Sequence, residues 1–135
     1  MKKIIPILTL MFITSCDPGV VNKYVVENRT ESDLEIESIL EYGKRKITEK
    51  DSVKTIELKP NMESIITKYG EIGNAHDKGN NFLNGIDTII IKKINGKLTK
   101  DIFDRKNWKY KVLKSGLFAM DEVEYKLILN ENNFR

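Results

Sequence analysis

The sequence predicts an all-β fold, a single antiparallel β-sandwich of the immunoglobulin-like or transthyretin-like kind. Three observations carry that expectation. Apolar and charged residues alternate with a period of two through Leu34–Tyr42 and again through Val123–Leu129, as in strands with one buried face. Seven or so short apolar runs follow one another at regular spacing, parted by polar, Gly or Pro breaks. No stretch sustains the 3.6-residue period of a helix. With 135 residues, 40% hydrophobic and 32% charged, the chain has room for one such domain and is too apolar for wholesale disorder.

Each element has its own signal. Val21 to Asn28 is a first strand, and the polar run Asn28-Arg29-Thr30-Glu31-Ser32-Asp33 is its turn. Asn28-Arg29-Thr30 also matches a glycosylation sequon, read here as part of that turn. In the next strand Leu34, Ile36, Leu40 and Tyr42 alternate with Glu35, Glu37 and Glu41, while Ser38 and Ile39 break the pattern. Val53 to Leu58 is a third strand, ended by Pro60-Asn61, and Met62 to Tyr69 a fourth. Ile86 to Ile94 holds Ile89-Ile90-Ile91, apolar on both faces, which predicts a central strand. Asn95-Gly96 then predicts a hairpin through a type I′ turn. Asp101 to Trp108 fits either a strand or one helical turn capped by Asp101. Tyr110–Leu113 and Val123–Leu129 form the closing hairpin, with Val123, Tyr125, Leu127 and Leu129 facing in and Glu122, Glu124 and Lys126 facing out.

The N-terminus carries an address. Lys2 and Lys3 precede an apolar run of ten residues, Ile4 to Ile13. As a helix it would rise only about 15 Å, half of a bilayer's hydrocarbon, so it fits a cleavable secretory signal and not a permanent span. Phe12-Ile13-Thr14-Ser15-Cys16 closes the run, and Cys16 is the only cysteine. This segment resembles the lipobox of bacterial lipoproteins, with Ile13 and Thr14 as variants of its commonest residues. The resemblance implies acylation of the Cys16 sulfur and cleavage before it. Residues 1–15 are then the signal peptide, 16–22 a lipidated tether and 23–135 the sandwich. Two or three acyl chains hold a protein on a membrane where one would not. The mature chain keeps a formal charge of +1, down from +3, once Lys2 and Lys3 are removed.

Tyr24-Val25-Val26-Glu27-Asn28-Arg29-Thr30 with Leu34-Glu35-Ile36, Asp87-Thr88-Ile89-Ile90-Ile91 before Asn95-Gly96-Lys97, and Tyr125-Lys126-Leu127-Ile128-Leu129 resemble uncharacterised lipoproteins of Bacteroidota. The resemblance implies a β-sandwich module and carries over no catalytic residue.

Three features could carry chemistry. The segment from 70 to 85 is rich in Gly and Asn and holds His76-Asp77, the chain's only imidazole beside a carboxylate. It reads as a mobile inter-strand loop with an exposed His76. The alternatives are a glycan- or small-ligand-binding loop working with Trp108, or a hydrolase using His76. Neighbours in an extended segment point opposite ways, which places His76 and Asp77 poorly as a dyad. One His and one acylated Cys cannot build a four-ligand zinc site, and the acids lack calcium-loop spacing, so no metal and no cofactor are expected. No recognisable catalytic motif is present, which favours a non-catalytic module.

Charge is uneven. From Lys92 to Lys114 there are nine basic residues (Lys92, Lys93, Lys97, Lys100, Arg105, Lys106, Lys109, Lys111 and Lys114) against Asp101 and Asp104, a surplus of seven with Trp108 and Tyr110 inside it. Two readings apply: a face for anionic lipid, glycan or an acidic envelope protein, or a set of lysines lining solvated strand faces. Nucleic acid is not an expected partner of an exported protein. The expected setting is the bacterial cell envelope, at the outer membrane or the periplasmic face of the inner membrane. The expected role is that of a non-catalytic structural or interaction module.

Overall fold

A computed structural model of the protein describes residues 18–40, 53–116 and 119–135. Residues 1–15, read above as a signal peptide, and Cys16, Glu41 and Tyr42 lie outside the described residues. Strands β1 (Gly19–Arg29), β2 (Leu34–Leu40), β3 (Val53–Leu58), β4 (Glu63–Ile72), β5 (Ile86–Lys93), β6 (Trp108–Lys114) and β7 (Asp121–Asn130) form two sheets, ordered β4-β1-β7-β6 and β3-β2-β5. The expected all-β sandwich is what forms.

Alternation decides which side chains meet between the sheets. Val123, Tyr125, Leu127 and Leu129 of β7 are fully buried, and Tyr24 and Val26 of β1 lie beside Tyr125 and Leu127 in register. Leu34 and Ile36 of β2, Ile89 and Ile91 of β5, Ile66 of β4 and Trp108 of β6 complete this core. Burying each such aliphatic side chain is worth about 1.5–3 kcal/mol, so the shared layer is the main source of stability. Ser38 sits on the inner face with Leu34 and Ile36, and its buried hydroxyl has no hydrogen-bond partner among the described residues.

Several expectations need correction. The sandwich is not wholly antiparallel, because β1 pairs with β7 in parallel from Val20↔Asp121 to Arg29↔Asn130. Nor is the strand order immunoglobulin-like: β1 lies between β4 and β7, in the opposite sheet from β2, whereas the immunoglobulin order sets the first two strands side by side. Strand β1 starts at Gly19, so residues 19–22, read as tether, belong to the sandwich, and Val20 and Asn22 are buried in it. Strand β5 is an edge and not a central strand, and its outward Ile90 is exposed.

The tight turn is Lys93–Gly96, with Gly96 N–H donating to Lys93 O at 3.3 Å and one antiparallel bridge between these two residues, but no second strand follows. Its central residues are Ile94 and Asn95, of which only Asn95 has positive φ, at 60°, so the turn is not type I′. The chain beyond it pairs with the C-terminus instead: Lys97 and Arg135 exchange backbone bonds of 2.7 and 3.0 Å, and Thr99 N–H donates to Asn133 O at 2.8 Å. Between Asp101 and Trp108 the chain makes a single 3₁₀ turn, Arg105–Asn107, capped by Asp104 and not by Asp101.

Asn28 fixes the crossing between the sheets. Its Nδ2 donates to Ser32 O at 2.9 Å and Leu58 O at 2.8 Å, while its Oδ1 accepts from Thr30 N–H at 2.9 Å and the Thr30 hydroxyl at 2.8 Å. The sequon asparagine is thus fully buried and bonded near the end of β1, a strand residue whose side chain holds the turn that follows. Asn28→Ala takes the side-chain partner from buried Leu58 O and from the Thr30 N–H, while Ser32 O keeps the Thr30 hydroxyl, so it should lower unfolding free energy by about 2–4 kcal/mol in a denaturant titration. A loss below about 0.5 kcal/mol, the scale of an ordinary surface substitution, would show that the turn is held by other contacts.

Candidate functional site

The segment between β4 and β5 is the feature most suited to carry function, and its sequence misleads about its order. Phe82, an apolar residue among Gly and Asn, inserts into the core and is fully buried. Its ring lies 5.6 Å from both Trp108 and Tyr125, measured between centroids. Tyr125 stacks on Tyr24 at 5.6 Å with 12° between planes, and Tyr110 packs on Tyr125 at 5.2 Å. Five aromatic rings therefore form one cluster under the segment.

Polar contacts tie the segment to that cluster. The Tyr24 hydroxyl donates to Phe82 O, and the Tyr125 hydroxyl accepts from Lys78 N–H at 3.0 Å. Asp121 Oδ2 accepts from Ala75 N–H at 2.8 Å. At Gly85 (φ +84°) the backbone crosses over the Tyr69 ring, where a Cβ would lie 2.4 Å from Cδ2. Only glycine fits there. The expectation of a loop with little to pack is overturned: Phe82 packs, and three side chains of the larger sheet hold its backbone.

Arg105 closes the arrangement. Its guanidinium lies 5.1 Å from the Tyr125 ring centroid, donates to Trp108 O at 2.5 Å and forks onto Asp77 at 2.8 and 2.5 Å. The Asp77 carboxyl is held below the usual carboxylate range, chiefly by this fork and further by Gly79 N–H. Burial pushes the Tyr24 and Tyr125 phenols upward, so both remain neutral hydrogen-bonding groups.

His76 and Asp77 are not brought together as a dyad. Exposed His76 places Nδ1 2.9 Å from Asn74 O, while the carboxylate of Asp77 is engaged by Arg105. Beside His76 lies a shallow cleft of about 270 Å³ with a mixed lining, Glu71, Lys78, Asn81 and Asn84 alongside Val20 and Ile72. Lys78 sits against Glu71, yet burial pulls its ammonium down from the ordinary lysine value. Glu71 also accepts from Asn22 Nδ2 at 2.8 Å. Such a cleft offers hydrogen bonds to a small polar group and supplies no positioned nucleophile. Trp108 is only 3% exposed, with Nε1 donating to Ile102 O at 2.8 Å, so it cannot stack on a ligand as the loop-with-Trp108 reading requires.

The basic stretch is not one face. Lys92 lies on the outer side of the smaller sheet, paired with Glu37 and Glu35, which raise its pKa. Lys93 is bound to Glu131 and lies over the Phe134 ring. Lys100 donates to Ile128 O at 2.9 Å, and Arg105 is taken by Asp77. Lys97 and Lys106 are exposed on connections. Only Lys109, Lys111 and Lys114 share a surface, the outer side of edge strand β6, where Lys111 faces Glu124 and Lys114 faces Glu122. Nearby Lys23 and Lys126 are themselves paired with Glu122 and Glu63.

Sequence reasoning missed the roles of Arg105, Asp121, Tyr24 and Tyr125 in seating the segment. The available signal was Phe82, a large apolar residue where a flexible loop has no use for one. Compared with known proteins, the chain matches no family model, no curated protein and no solved structure.

Because its folded pKa is depressed, Asp77 contributes stability above its unfolded value of about 3.9, and that contribution fades as pH falls through the folded value. Wild type should exceed Asp77→Asn by about 0.5–1 kcal/mol near neutral pH, a small margin because the pair is partly exposed. Urea titrations across pH should show that gap closing below about pH 4. A gap independent of pH would mean that the carboxylate's charge plays no part in holding the segment.

Proposed function

We propose that the protein is a lipoprotein of the bacterial cell envelope, anchored through acylated Cys16, whose β-sandwich is a non-catalytic structural or interaction module. One observation carries this reading. The only cysteine closes a ten-residue apolar run behind Lys2-Lys3 and stands three residues before the first residue of β1. A short apolar run followed at once by a rigid domain suits a lipid anchor and leaves no length for a spanning helix. The resemblance to Bacteroidota lipoproteins points the same way. The membrane is the outer membrane or the inner membrane's periplasmic face.

The site geometry does not favour the hydrolase alternative. Asp77 is engaged by Arg105, and exposed His76 bonds to a backbone carbonyl. For the ligand-binding alternative the segment offers open clefts beside His76 and along Asn80, Asn81, Leu83 and Asn84, without Trp108, which is in the core. An interaction module works through its surface, and stability of the sandwich serves that purpose.

Intact mass and acyl labelling test the anchor. Wild type should carry diacylglycerol on Cys16 and sediment with membranes, whereas Cys16→Ser should be unlabelled and move to the soluble fraction. Lipid on the Cys16→Ser protein, or an unmodified wild type, would overturn the proposal.

A further inference from the structure

The strand that follows Cys16 determines which end of the sandwich an anchor would hold. Three residues of chain reach at most about 11 Å, so a lipid on Cys16 draws the Gly19 end of β1 down to the headgroups. Pro18 O accepts from Gly73 N–H at 2.7 Å, which brings the chain before β1 against the end of β4. Because β1 is antiparallel to β4 and parallel to β7, that end gathers the C-terminus of β4, the N-terminus of β7 and the C-terminus of β6.

An apolar row lies across it. Ile72 pairs with Gly19 and is 79% exposed. Met120, 53% exposed, lies over Gly19, where a Cβ would sit 3.0 Å from its Cε. Leu113, at the bulge in β6, is exposed next to Lys114. Large apolar side chains turned to water at the one end that a lipid would hold are suited to the boundary between headgroups and acyl chains, with a lysine beside them to reach the phosphates.

We propose, resting on acylation of Cys16, that Ile72, Leu113 and Met120 dip into the bilayer surface, so that the sandwich stands on its β1 start and does not swing freely on its anchor. The occupant of this row is lipid. Lys92, Lys93 and Lys97 are then carried to the opposite end, where Lys93 binds Glu131 just past β7 and Lys97 pairs with Arg135; the ten residue steps of β1 from Gly19 to Arg29 span about 33 Å, beyond the ~10 Å screening length. On this reading Lys92, Lys93 and Lys97 face away from the membrane, while Lys114 lies at it.

Depth-dependent quenching tests the orientation. Ile72→Trp, Met120→Trp and Ile94→Trp are each made in the full-length protein, purified in acylated form and reconstituted into phosphatidylethanolamine–phosphatidylglycerol vesicles containing lipid brominated near the headgroup. Ile94 is 75% exposed at the opposite end, and native Trp108 is in the core, giving a constant background. The tryptophans at 72 and 120 should lose roughly half of their emission or more, and the one at 94 next to none, as expected for side chains about 5–10 Å into the interface. If wild type floats with vesicles and Cys16→Ser does not, yet all three tryptophans are quenched alike or not at all, the orientation is wrong while the anchor stands. Unquenched positions 72 and 120 that cross-link to another protein would assign the row to that protein and also refute lipid contact. If wild type itself lacks lipid and fails to float, the anchor falls and the orientation with it.

Discussion

The parallel pairing of β1 with β7 is the contact on which the rest depends. It joins the first strand to the last and sets Tyr24 opposite Tyr125, ring on ring. From that pair the two hydroxyls reach to Phe82 O and Lys78 N–H, so the segment between β4 and β5 is seated by side chains just over a hundred residues apart in sequence. Strand β6 pairs with β7 alone and β4 with β1 alone. The central pair is thus what joins the two flanks into one sheet. Contacts between residues so distant in sequence are entropically costly to close, which places folding of this chain among the slower topologies.

What could be read from the sequence was local. The alternation Val123, Tyr125, Leu127, Leu129 specifies a face whichever strand lies beside it, and those four residues are fully buried in the core. Ile89-Ile90-Ile91 misled because a run apolar on both sides resembles a central strand, while the position of β5 depends on pairings that leave no mark on its own residues. Asn95-Gly96 gave a turn and no hairpin, because the chain beyond it is captured by Asn133–Arg135 from the far end of the sequence. The segment 70–85 looked empty for its Gly and Asn. One residue, Phe82, and partners in distant strands give it structure. His76 was correctly legible as exposed, but nothing near Asp77 in sequence announced Arg105.

Charge shows the same gap between order along the chain and order in space. A surplus of seven between Lys92 and Lys114 is large in sequence, yet folding spreads it over two sheets and brings Glu35, Glu37, Glu131 and Asp77 against its members. A surface ion pair contributes little to stability, a median of about 0–1 kcal/mol. Here its consequence is to dissolve what would have been a single basic face. The lysines left on β6 lie along a sheet edge, where charge discourages pairing with another chain.

The two terminal strands run side by side in the same direction, so the chain enters the fold at one end and leaves it at the other. A pull applied between Gly19 and Asn130 therefore acts along the strands, and the hydrogen bonds of the ladder bear the force together in shear. In an antiparallel terminal pair the same pull would open them one at a time like a zipper. Mechanical resistance, more than thermal stability, is the property that this arrangement of ends builds into the molecule.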